Sequence, residues 1–483
     1  MRYSDYDLVV LDALDNYLHE AHRVPEYLDL TRMRHGWLRY LILRIAVVSE
    51  ETHTPVHIGN ADRLLPELAY RVFDDDPTIW GGVVEPQISH CLDEAARLHE
   101  ALTTSGAEPV RIQPGLGDPH RGGRTTTKVS SAEVVQYYKP GRYSRRDMLT
   151  AFFDAAELSA SVHIPPDISV LDGYLQSAVP VPSPATMPGE EFWYRAGIFA
   201  AGTDCLGTVD LHYGNIAPAG NAIAIIDDET VLAPSPFDRE RNVLTTLLLQ
   251  DPASARTEVS AGFMATNTPG VSRNFPSLQA SEPDSGLTVR MTTRLASKPT
   301  RIGSHVQNLS GYLEEFRAGL SHGYATIRRN RHALVDVLRS CPRESLSRAI
   351  VYSTPGYARL SAMVALSPST ASQREIFERL VEQLGRFSRT TVGPEIIASE
   401  ARQLLGGDIP LFWIDPHTDH IVDGTGRVGR VRHPPIDECC HRLSTLDHNY
   451  SIAQARIVTQ CGSGLHLAAP GSTGSAVAKE VSA

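Results

Sequence analysis

The sequence predicts an α+β protein in which a small strand-rich centre is flanked by two helical blocks. Residues 1–110 carry apolar side chains at helical spacing, and this pattern returns in residues 308–406. Between them, short β-branched and aromatic runs are separated by glycine-containing turns, which is typical of short strands. No internal repeat and no long low-complexity tract is present. We therefore expect a central α+β unit with helical additions at both ends.

The composition is that of an ordinary globular protein. The chain has 483 residues and a net charge of −11, from 45 Lys and Arg against 56 Asp and Glu. Because nucleic-acid binders usually have a basic excess, nucleic acid is not an expected partner. No run of 18 apolar residues occurs and the N-terminus lacks an apolar signal core, so membrane insertion is not expected. Six cysteines are too few for a disulfide framework, which indicates a reducing cytoplasm.

The N-terminal region, residues 1–110, contains two segments with a clear helical pattern. Residues 38–48 are apolar enough for a buried helix. Residues 91–103 repeat apolar side chains at helical spacing, and Gly106 has the position of a helix stop.

The central region, residues 111–305, is expected to hold the strands. The predicted elements are strands at 124–129 and 133–139, a helix capped by Ser144 with Asp147 and running to about residue 159, a helix at 194–206 and a strand at 222–226. The proline-rich residues 162–191 predict irregular structure, and the Ser/Thr-rich residues 252–305 predict a long, partly mobile connection. Helices are expected over residues 306–468, and the Gly/Ser/Ala-rich residues 469–483 predict a disordered tail.

The most informative stretch is the run from Asp210 to Asn215, which an acidic cluster follows. An Asp, an Asn five residues later and Asp227 at a strand end have the order used by kinase-like phosphotransferases. Mg²⁺ prefers hard oxygen ligands, which Asn215 and Asp227 would supply. The acceptor hydroxyl needs a positioned carboxylate as its base, and Asp210 has that place in the pattern.

Two features upstream agree with this interpretation. Lys139 ends a predicted strand, the place of a lysine that contacts nucleotide phosphates in kinase-like folds. Just before it, the segment from Gly115 to Gly123 is expected to offer backbone N–H groups to phosphate. It is not a Walker A loop, because no Gly-Lys-Ser or Gly-Lys-Thr follows. Each feature alone is a weak indicator, but their order predicts a phosphotransferase.

Two other groups of residues fit a chemical role less well. His417 and His420 lie in a predicted loop and are more typical of an exposed turn than of a metal site. Cys439, Cys440 and Cys461 do not have a zinc-binding spacing, so we expect ordinary thiols.

Together with several later motifs, these residues resemble the dehydratase domain of class II lanthipeptide synthetases, the LanM type. The matching motifs are Gly-Asp-Pro-His at 117–120, Tyr-Lys-Pro at 138–140, Asp-Leu-His-Tyr-Gly-Asn at 210–215, Ile-Asp-Asp-Glu-Thr at 226–230, Arg348 with Thr354, and Gly-Asp-Ile-Pro-Leu-Phe at 407–412. Several motifs in one order, spread over nearly the whole chain, make the resemblance specific.

The resemblance implies a bilobal catalytic core like that of lipid and protein kinases, with extensive helical additions. Enzymes of this family use ATP and Mg²⁺ to phosphorylate Ser and Thr in a ribosomally made precursor peptide with a leader. They then eliminate phosphate to give dehydroalanine or dehydrobutyrine. The residues that the resemblance assigns to phosphorylation are Lys139, Asp210, His212, Asn215, Asp227 and Glu229. Four of them would bind ATP and its metal, namely Lys139, Asn215, Asp227 and Glu229.

The resemblance assigns elimination to four other residues, Asp118, His120, Arg348 and Thr354. Elimination needs a base for the α-proton, together with stabilisation of the enolate and of the departing phosphate. Arg348 suits bidentate phosphate contact, Thr354 has a hydroxyl to donate, and His120 is the candidate for proton transfer.

The chain departs from the family pattern in three positions and in its length. Gly214 stands where the family usually has Glu, Gly141 where Arg commonly follows Lys-Pro, and Tyr352 where a second Arg precedes the Thr. Family synthetases are longer and carry a C-terminal zinc cyclase. We therefore expect a separate cyclase, or another modifying enzyme, as a partner.

Two alternative functions remain open. Gly141 and Tyr352 favour a phosphotransferase that stops at the phosphorylated peptide or acts on another acceptor. The third hypothesis is an inactive peptide-binding scaffold for a separate cyclase, against which the intact Lys139, Asp210 and Asp227 argue.

Overall fold

The computed structural model is an α+β protein that is 55% helical and has four small sheets, as the sequence predicts. It describes residues 4–104, 110–132, 134–141, 145–180, 189–235, 241–249, 261–263, 272–280, 287–295, 309–343, 345–387 and 393–465. Within these ranges, no helix has the length and the apolar character needed to cross a membrane.

Four helices form the N-terminal block. They are α1 (Asp5–His22), α2 (Thr31–Glu51), α3 (Ala61–Asp75) and α4 (Glu85–Thr104). Ser4 and Asp7 form a reciprocal capping box that starts α1. The inward faces of the helices enclose an apolar core that includes Trp37, Leu65 and Leu98.

In the residues that the structure describes, the central region contains eight short strands, two helices and a long hairpin. In chain order these are β1 (Arg111–Gln113), β2 (Thr127–Ser130), β3 (Val135–Pro140), α5 (Arg146–Ala155), β4 (Val162–His163), β5 (Asp167–Val170), β6 (Gly173–Ser177), α6 (Gly189–Cys205), β7 (Ile216–Ala219), β8 (Ala222–Ile225), β9 (Ser272–Ala280) and β10 (Leu287–Leu295). Five strands form one sheet in the order β1-β2-β3-β6-β5, and β4-β8-β7 form a second sheet with one parallel pair, β4 with β8.

The remaining elements are mainly helical. They are α7 (Leu313–Arg329), α8 (Arg331–Arg339), β11 (Ser347–Ala349), α9 (Thr354–Ala365), α10 (Gln373–Phe387), α11 (Pro394–Leu405), β12 (Phe412–Ile414), β13 (His420–Asp423), β14 (Gly426–Arg430), α12 (Pro435–Thr445) and α13 (His448–Leu465). The strands form a third sheet in the order β11-β12-β13-β14, and all of its pairs are antiparallel.

Strand β3 orients the lysine that the sequence singled out. Successive side chains of a strand point to opposite faces. Tyr138 is fully buried in the core of the N-terminal block, so its neighbour Lys139 faces the other side of the sheet. That side carries the loop that follows β8, because Lys139 hydrogen-bonds to Ile226.

A second apolar core supports the loop between α6 and β7. Helices α6 and α7 pack so closely that a Cβ on Gly319 would lie 1.8 Å from the Tyr194 carbonyl oxygen. Phe199 and Leu211 are both fully buried in this core. Leu211 therefore anchors the loop in which its neighbour Asp210 lies.

The expectation of irregular structure over residues 162–191 is wrong for part of that segment. Strands β5 and β6 form a hairpin there, and β6 pairs with β3. The prolines of the segment lie outside these two strands, and Tyr174 and Leu175 of β6 are buried. The sheet partner, rather than the local sequence, decides the structure here.

The expected mobile connection over residues 252–305 also needs correction. It contains the β9–β10 hairpin, which packs on α1 and α2. The carboxylate of Asp7, which is fully buried, accepts hydrogen bonds from the Ser277 hydroxyl and the Leu278 N–H at 2.7 and 3.0 Å. A contact across about 270 residues of chain holds the hairpin, so the polar local composition could not predict it.

Three further predictions fall on residues outside the described ranges. They concern the stop at Gly106, the cap at Ser144 and the tail over residues 469–483. The helix expected after Ser144 is α5, which begins at Arg146 and ends at Ala155, about four residues earlier than predicted.

Candidate functional site

The loop from Asp210 to Asn215 is held in shape by its own backbone and by its neighbours. Asp210 has a left-handed backbone, with φ at 59°. The Leu211 N–H donates to the Thr246 carbonyl at 2.8 Å. The Asn215 side-chain amide donates to the Asp210 carbonyl at 2.9 Å and lies 3.5 Å from its carboxylate. These bonds fix Asp210 and Asn215 relative to each other.

The end of β8 joins this loop to Lys139. The Ile226 N–H donates to the Asn215 carbonyl at 2.8 Å, and the Ile226 carbonyl accepts a hydrogen bond from Lys139 Nζ. Lys139 Nζ lies 3.5 Å from Asp227 Oδ1. Burial alone would raise the pKa of Asp227, but the charges of Lys139 and Arg348 outweigh it and the pKa falls below its usual value.

Arg348 forms an ion pair with Glu229 across the site. Arg348 lies on β11, its backbone N–H donates to the Glu229 carbonyl at 2.7 Å, and its guanidinium pairs with the Glu229 carboxylate. Burial raises the pKa of Glu229 to about 7 against the opposing charge of Arg348. A strand from the C-terminal half thus lies directly beside the acidic cluster after β8.

Burial also changes the pKa of Asp210. Burial raises its pKa, the nearby charges of His212 and Arg348 oppose this, and those of Asp227 and Asp118 add to it. A raised pKa makes this carboxylate a better acceptor of a proton from a hydroxyl group, as a general base requires.

The turn over residues 118–124 brings two more predicted residues to the cluster. The Thr354 hydroxyl, at the first residue of α9, donates to Asp118 Oδ2 at 3.1 Å. His120 Nδ1 lies 2.7 Å from the Ile409 carbonyl oxygen. Burial and the charge of Arg348 lower the pKa of His120 to about 4, although Asp118 opposes them. His120 is therefore neutral at ordinary pH.

The backbone gives the two site histidines opposite tautomers in their neutral forms. His120 Nδ1 faces a carbonyl oxygen, so Nδ1 carries the proton and Nε2 is free to accept one. His212 Nδ1 accepts the Gly214 N–H at 2.9 Å, so its proton lies on Nε2. His120 suits a base, whereas His212 suits a hydrogen-bond donor.

Three of the four glycines in the segment from Gly115 to Gly123 donate their N–H groups within the protein, contrary to the expectation that these groups face phosphate. The Gly122 and Gly123 N–H groups donate to the two carboxylate oxygens of Asp408 at 2.7 and 2.8 Å. The Gly115 N–H donates to the Thr125 hydroxyl at 2.7 Å. The N–H groups of these three glycines are therefore not open to a phosphate group.

The side-chain oxygens of Asn215 and Asp227 are suited to bind a hard divalent cation such as Mg²⁺. Asn215 uses its amide nitrogen towards Asp210, which leaves the amide oxygen as a ligand, and the pKa of Asp227 favours its carboxylate form. Over the described part of the chain, no three His, Cys, Asp or Glu side chains converge as a metal site. Mg²⁺ commonly takes one or two protein oxygens and completes its shell with water and substrate phosphates. Asn215 and Asp227 suit that mode.

The two sets of residues named by the resemblance therefore meet in one place. Arg348 connects them, because it pairs with Glu229 and its charge acts on Asp210, Asp227 and His120. Hydrogen bonds add Lys139, Asn215 and Thr354 to the same cluster.

Sequence reasoning missed the residues that support this cluster. Asp228 accepts the Arg145 N–H at 2.8 Å, and the Arg145 guanidinium, which is buried, bonds to the Ser345 carbonyl and the Ser347 hydroxyl. Ser347 in turn donates to the Val231 carbonyl at 2.6 Å. These contacts fix β11, and no local motif indicates them.

None of the histidines and cysteines set aside in the sequence analysis forms a metal site within the described residues. His417 Nε2 lies 2.7 Å from the Cys341 carbonyl oxygen, and His420 is the first residue of β13. Cys439 and Cys461 are buried, Cys440 is half-buried, and all three are free thiols.

Comparison with known proteins identifies the family of the chain. The model of a domain of unknown function, DUF4135, matches residues 80–415, a range that includes every site residue named above. Because the match covers more than half of the chain, the protein belongs to the DUF4135 family. This domain is found in lanthipeptide synthetase (LanM-like) proteins. No curated protein matches the chain.

Proposed function

We propose that this protein dehydrates Ser and Thr residues of a ribosomally synthesised precursor peptide in two steps, phosphorylation by ATP and elimination of phosphate. The proposal extends the family membership and rests on one observation. The ion pair of Glu229 with Arg348 joins a phosphotransferase-like set of residues to a set suited to elimination.

In the first step, Asp210 accepts the proton of the peptide hydroxyl as its oxygen attacks the γ-phosphorus of ATP. Burial and neighbouring carboxylates raise the pKa of Asp210, which supports this role. Lys139 is held beside Asp227, where its charge suits nucleotide phosphates. Asn215 and Asp227 would hold Mg²⁺, which when bound neutralises phosphate charge. The products are a phosphopeptide and ADP.

In the second step, His120 Nε2 removes the α-proton of the phosphorylated residue. The electron pair forms the Cα–Cβ double bond, the Cβ–O bond breaks, and phosphate leaves. The proton on Nδ1 and the lowered pKa of His120 support the role of base. Arg348 suits the leaving phosphate, and Thr354 with Asp118 lies beside His120 as a hydrogen-bonding pair.

The test is the mass of a precursor peptide encoded beside the gene, after co-expression with this protein. Loss of one or more waters, abolished by Asp210→Ala, is the expected result. Phosphate gain without water loss would instead favour the phosphotransferase that stops at the phosphopeptide. A peptide of unchanged mass, with no peptide-stimulated ATP turnover, would favour the inactive scaffold.

The same experiment addresses the proposed partner. We propose a cytoplasmic enzyme whose dehydrated product passes to a separate cyclase. Dehydrated peptide without thioether rings, which still reacts with an added thiol, is the expected product when this protein acts alone.

A further inference from the structure

Asp408 is a buried carboxylate to which the proposed chemistry gives no role. It lies between α11 and β12, and only 8% of its surface is exposed. Its two oxygens accept the N–H groups of Gly122 and Gly123 at 2.7 and 2.8 Å. The bond from Gly123 is buried and the bond from Gly122 is part-buried, so loss of the carboxylate would leave the Gly123 N–H unpaired in a buried position.

The next residue holds the other end of the same turn. The Ile409 N–H donates to the Pro119 carbonyl at 2.8 Å, and the Ile409 carbonyl faces His120 Nδ1 at 2.7 Å. Two consecutive residues thus make four hydrogen bonds to the turn over residues 118–124. His120 lies between the two ends that are held.

The turn has little freedom to adopt a different arrangement. Gly122 and Gly123 have φ values of 83° and 88°, which other residues rarely adopt. A Cβ on Gly122 would lie 2.6 Å from His90 Nδ1, and one on Gly123 would lie 2.8 Å from Gln87 Cγ. Helix α4 closes one side of the turn and Asp408 closes the other.

We propose that Asp408 is a positioning residue that aims His120 at the peptide, acting through the Gly122–Gly123 turn. A carboxylate suits this task because it accepts two parallel N–H groups at once. An asparagine would keep one acceptor oxygen and turn an N–H₂ group towards the second N–H. Asp408 touches neither the peptide nor His120, so its effect should fall on elimination and leave phosphorylation nearly unchanged.

The experiment compares Asp408→Ala and Asp408→Asn with a matched control, Asp423→Ala. Asp423 also accepts two backbone N–H groups of a glycine turn, those of Thr425 and Gly426, and these two bonds lie in the β13–β14 hairpin. Its other carboxylate oxygen accepts the Ser399 hydroxyl of α11 and makes no bond to the turn over residues 118–124. Each protein is given a synthetic phosphoserine peptide, which requires only elimination, and the unmodified peptide with ATP, which requires both steps.

We expect elimination by Asp408→Ala to fall roughly 10- to 100-fold, because a displacement of about 1 Å can cost that much. Asp408→Asn should retain an intermediate rate, and phosphorylation should change less than about threefold in both variants. Equal losses in the two steps, or unchanged elimination in both variants, would overturn the proposal. Asp423→Ala should leave both steps unchanged.

A structural measurement separates this inference from the proposed function on which it rests. Hydrogen–deuterium exchange over residues 118–124 should speed up in both Asp408 variants and stay slow in Asp423→Ala. The ¹⁵N signals of the His120 ring can be identified because they are missing from the spectrum of His120→Gln. In both Asp408 variants, their chemical shifts should move away from those of a ring protonated on Nδ1. If the natural protein eliminates nothing, the proposed function fails, while unchanged exchange and unchanged ring signals would overturn the positioning role by themselves.

Discussion

The loop over residues 210–215 and the turn over residues 118–124 each present a histidine to the same cluster, but they hold it by different means. His212 is held by Gly214, two residues further along the chain. His120 is held by Ile409, 289 residues away. The local contact leaves the proton on Nε2 and the distant contact leaves it on Nδ1. If the proposed two-step reaction is correct, His212 is oriented for phosphorylation by a contact within its own loop, whereas His120 is oriented for elimination only when Ile409 of the C-terminal half is in place.

The largest expected effect is the loss of phosphorylation when Asp210, in the loop over residues 210–215, is replaced. Asp210→Asn removes the base and should lower the phosphorylation rate by about 10² to 10⁴. Elimination from a synthetic phosphopeptide should remain, because the turn is unchanged. Asp93→Asn, an exposed position on α4, is the control. An Asp210→Asn protein that loses both reactions equally would mean that loop and turn are not separate in function.

The next largest effect concerns Arg348, which connects the two regions. Arg348→Ala removes the phosphate contact and should lower elimination by about 10² to 10³, so that phosphopeptide accumulates. It also leaves Glu229 buried without its partner. Mass spectrometry of the peptide over time measures both steps. The control is Arg374→Ala on α10, whose side chain is 86% exposed. Complete dehydration by Arg348→Ala would contradict the assigned role.

A smaller effect is expected from a change at Gly214, whose N–H donates a hydrogen bond to His212. A Cβ on Gly214 would lie 2.8 Å from His212 Cε1, so Gly214→Ala must move the ring. We expect phosphorylation to fall about tenfold and elimination from phosphopeptide to stay unchanged. Gly311→Ala, where a Cβ meets no atom within 4 Å, should change neither rate. An equal loss of elimination would show that the histidines do not act in separate steps.

The smallest expected effect is that of pH on the contribution of His120 to the elimination rate. His120 loses its function as a base when it is protonated, and its pKa of about 4 places that loss well below neutral pH. Between pH 7.5 and 5.5 its contribution to elimination should change less than about twofold, whereas a histidine of ordinary pKa would lose about tenfold.

The phosphoryl group of the substrate titrates near pH 6, so a single profile does not isolate the histidine. The quantity to measure is the ratio of the elimination rates of the natural protein and His120→Asn at each pH. A ratio that falls tenfold over this range would contradict the buried, neutral state of His120.

Residue patterns alone anticipated the part of the site that is built from local contacts, whereas Asp118, His120, Arg348 and Thr354 were named only through the family resemblance. Asp210, Asn215 and Asp227 lie within 18 residues of chain, and their order alone predicted that they meet. Lys139 was expected at the end of a strand, and in the structure it lies on β3, on the face opposite the buried Tyr138.

The residues that sequence reasoning missed depend on distant partners. The Gly122–Gly123 turn was interpreted as an open phosphate loop, because nothing nearby indicates that Asp408 occupies its N–H groups. The β9–β10 hairpin was interpreted as a mobile connection, because its anchor is Asp7 at the other end of the chain. In both cases one buried carboxylate decides the structure of a polar segment, and composition does not record such pairings.

The span between His120 and Ile409 has a consequence for the timing of biosynthesis. Ribosomes add roughly 5 to 20 residues per second, so about 15 to 60 s separate the emergence of the histidine from that of its partner, 289 residues later. Throughout that interval the nascent chain lacks the contact that orients the ring of His120. A chain that ended before Ile409 would therefore lack a correctly held His120, and under the proposed function it would be deficient in elimination.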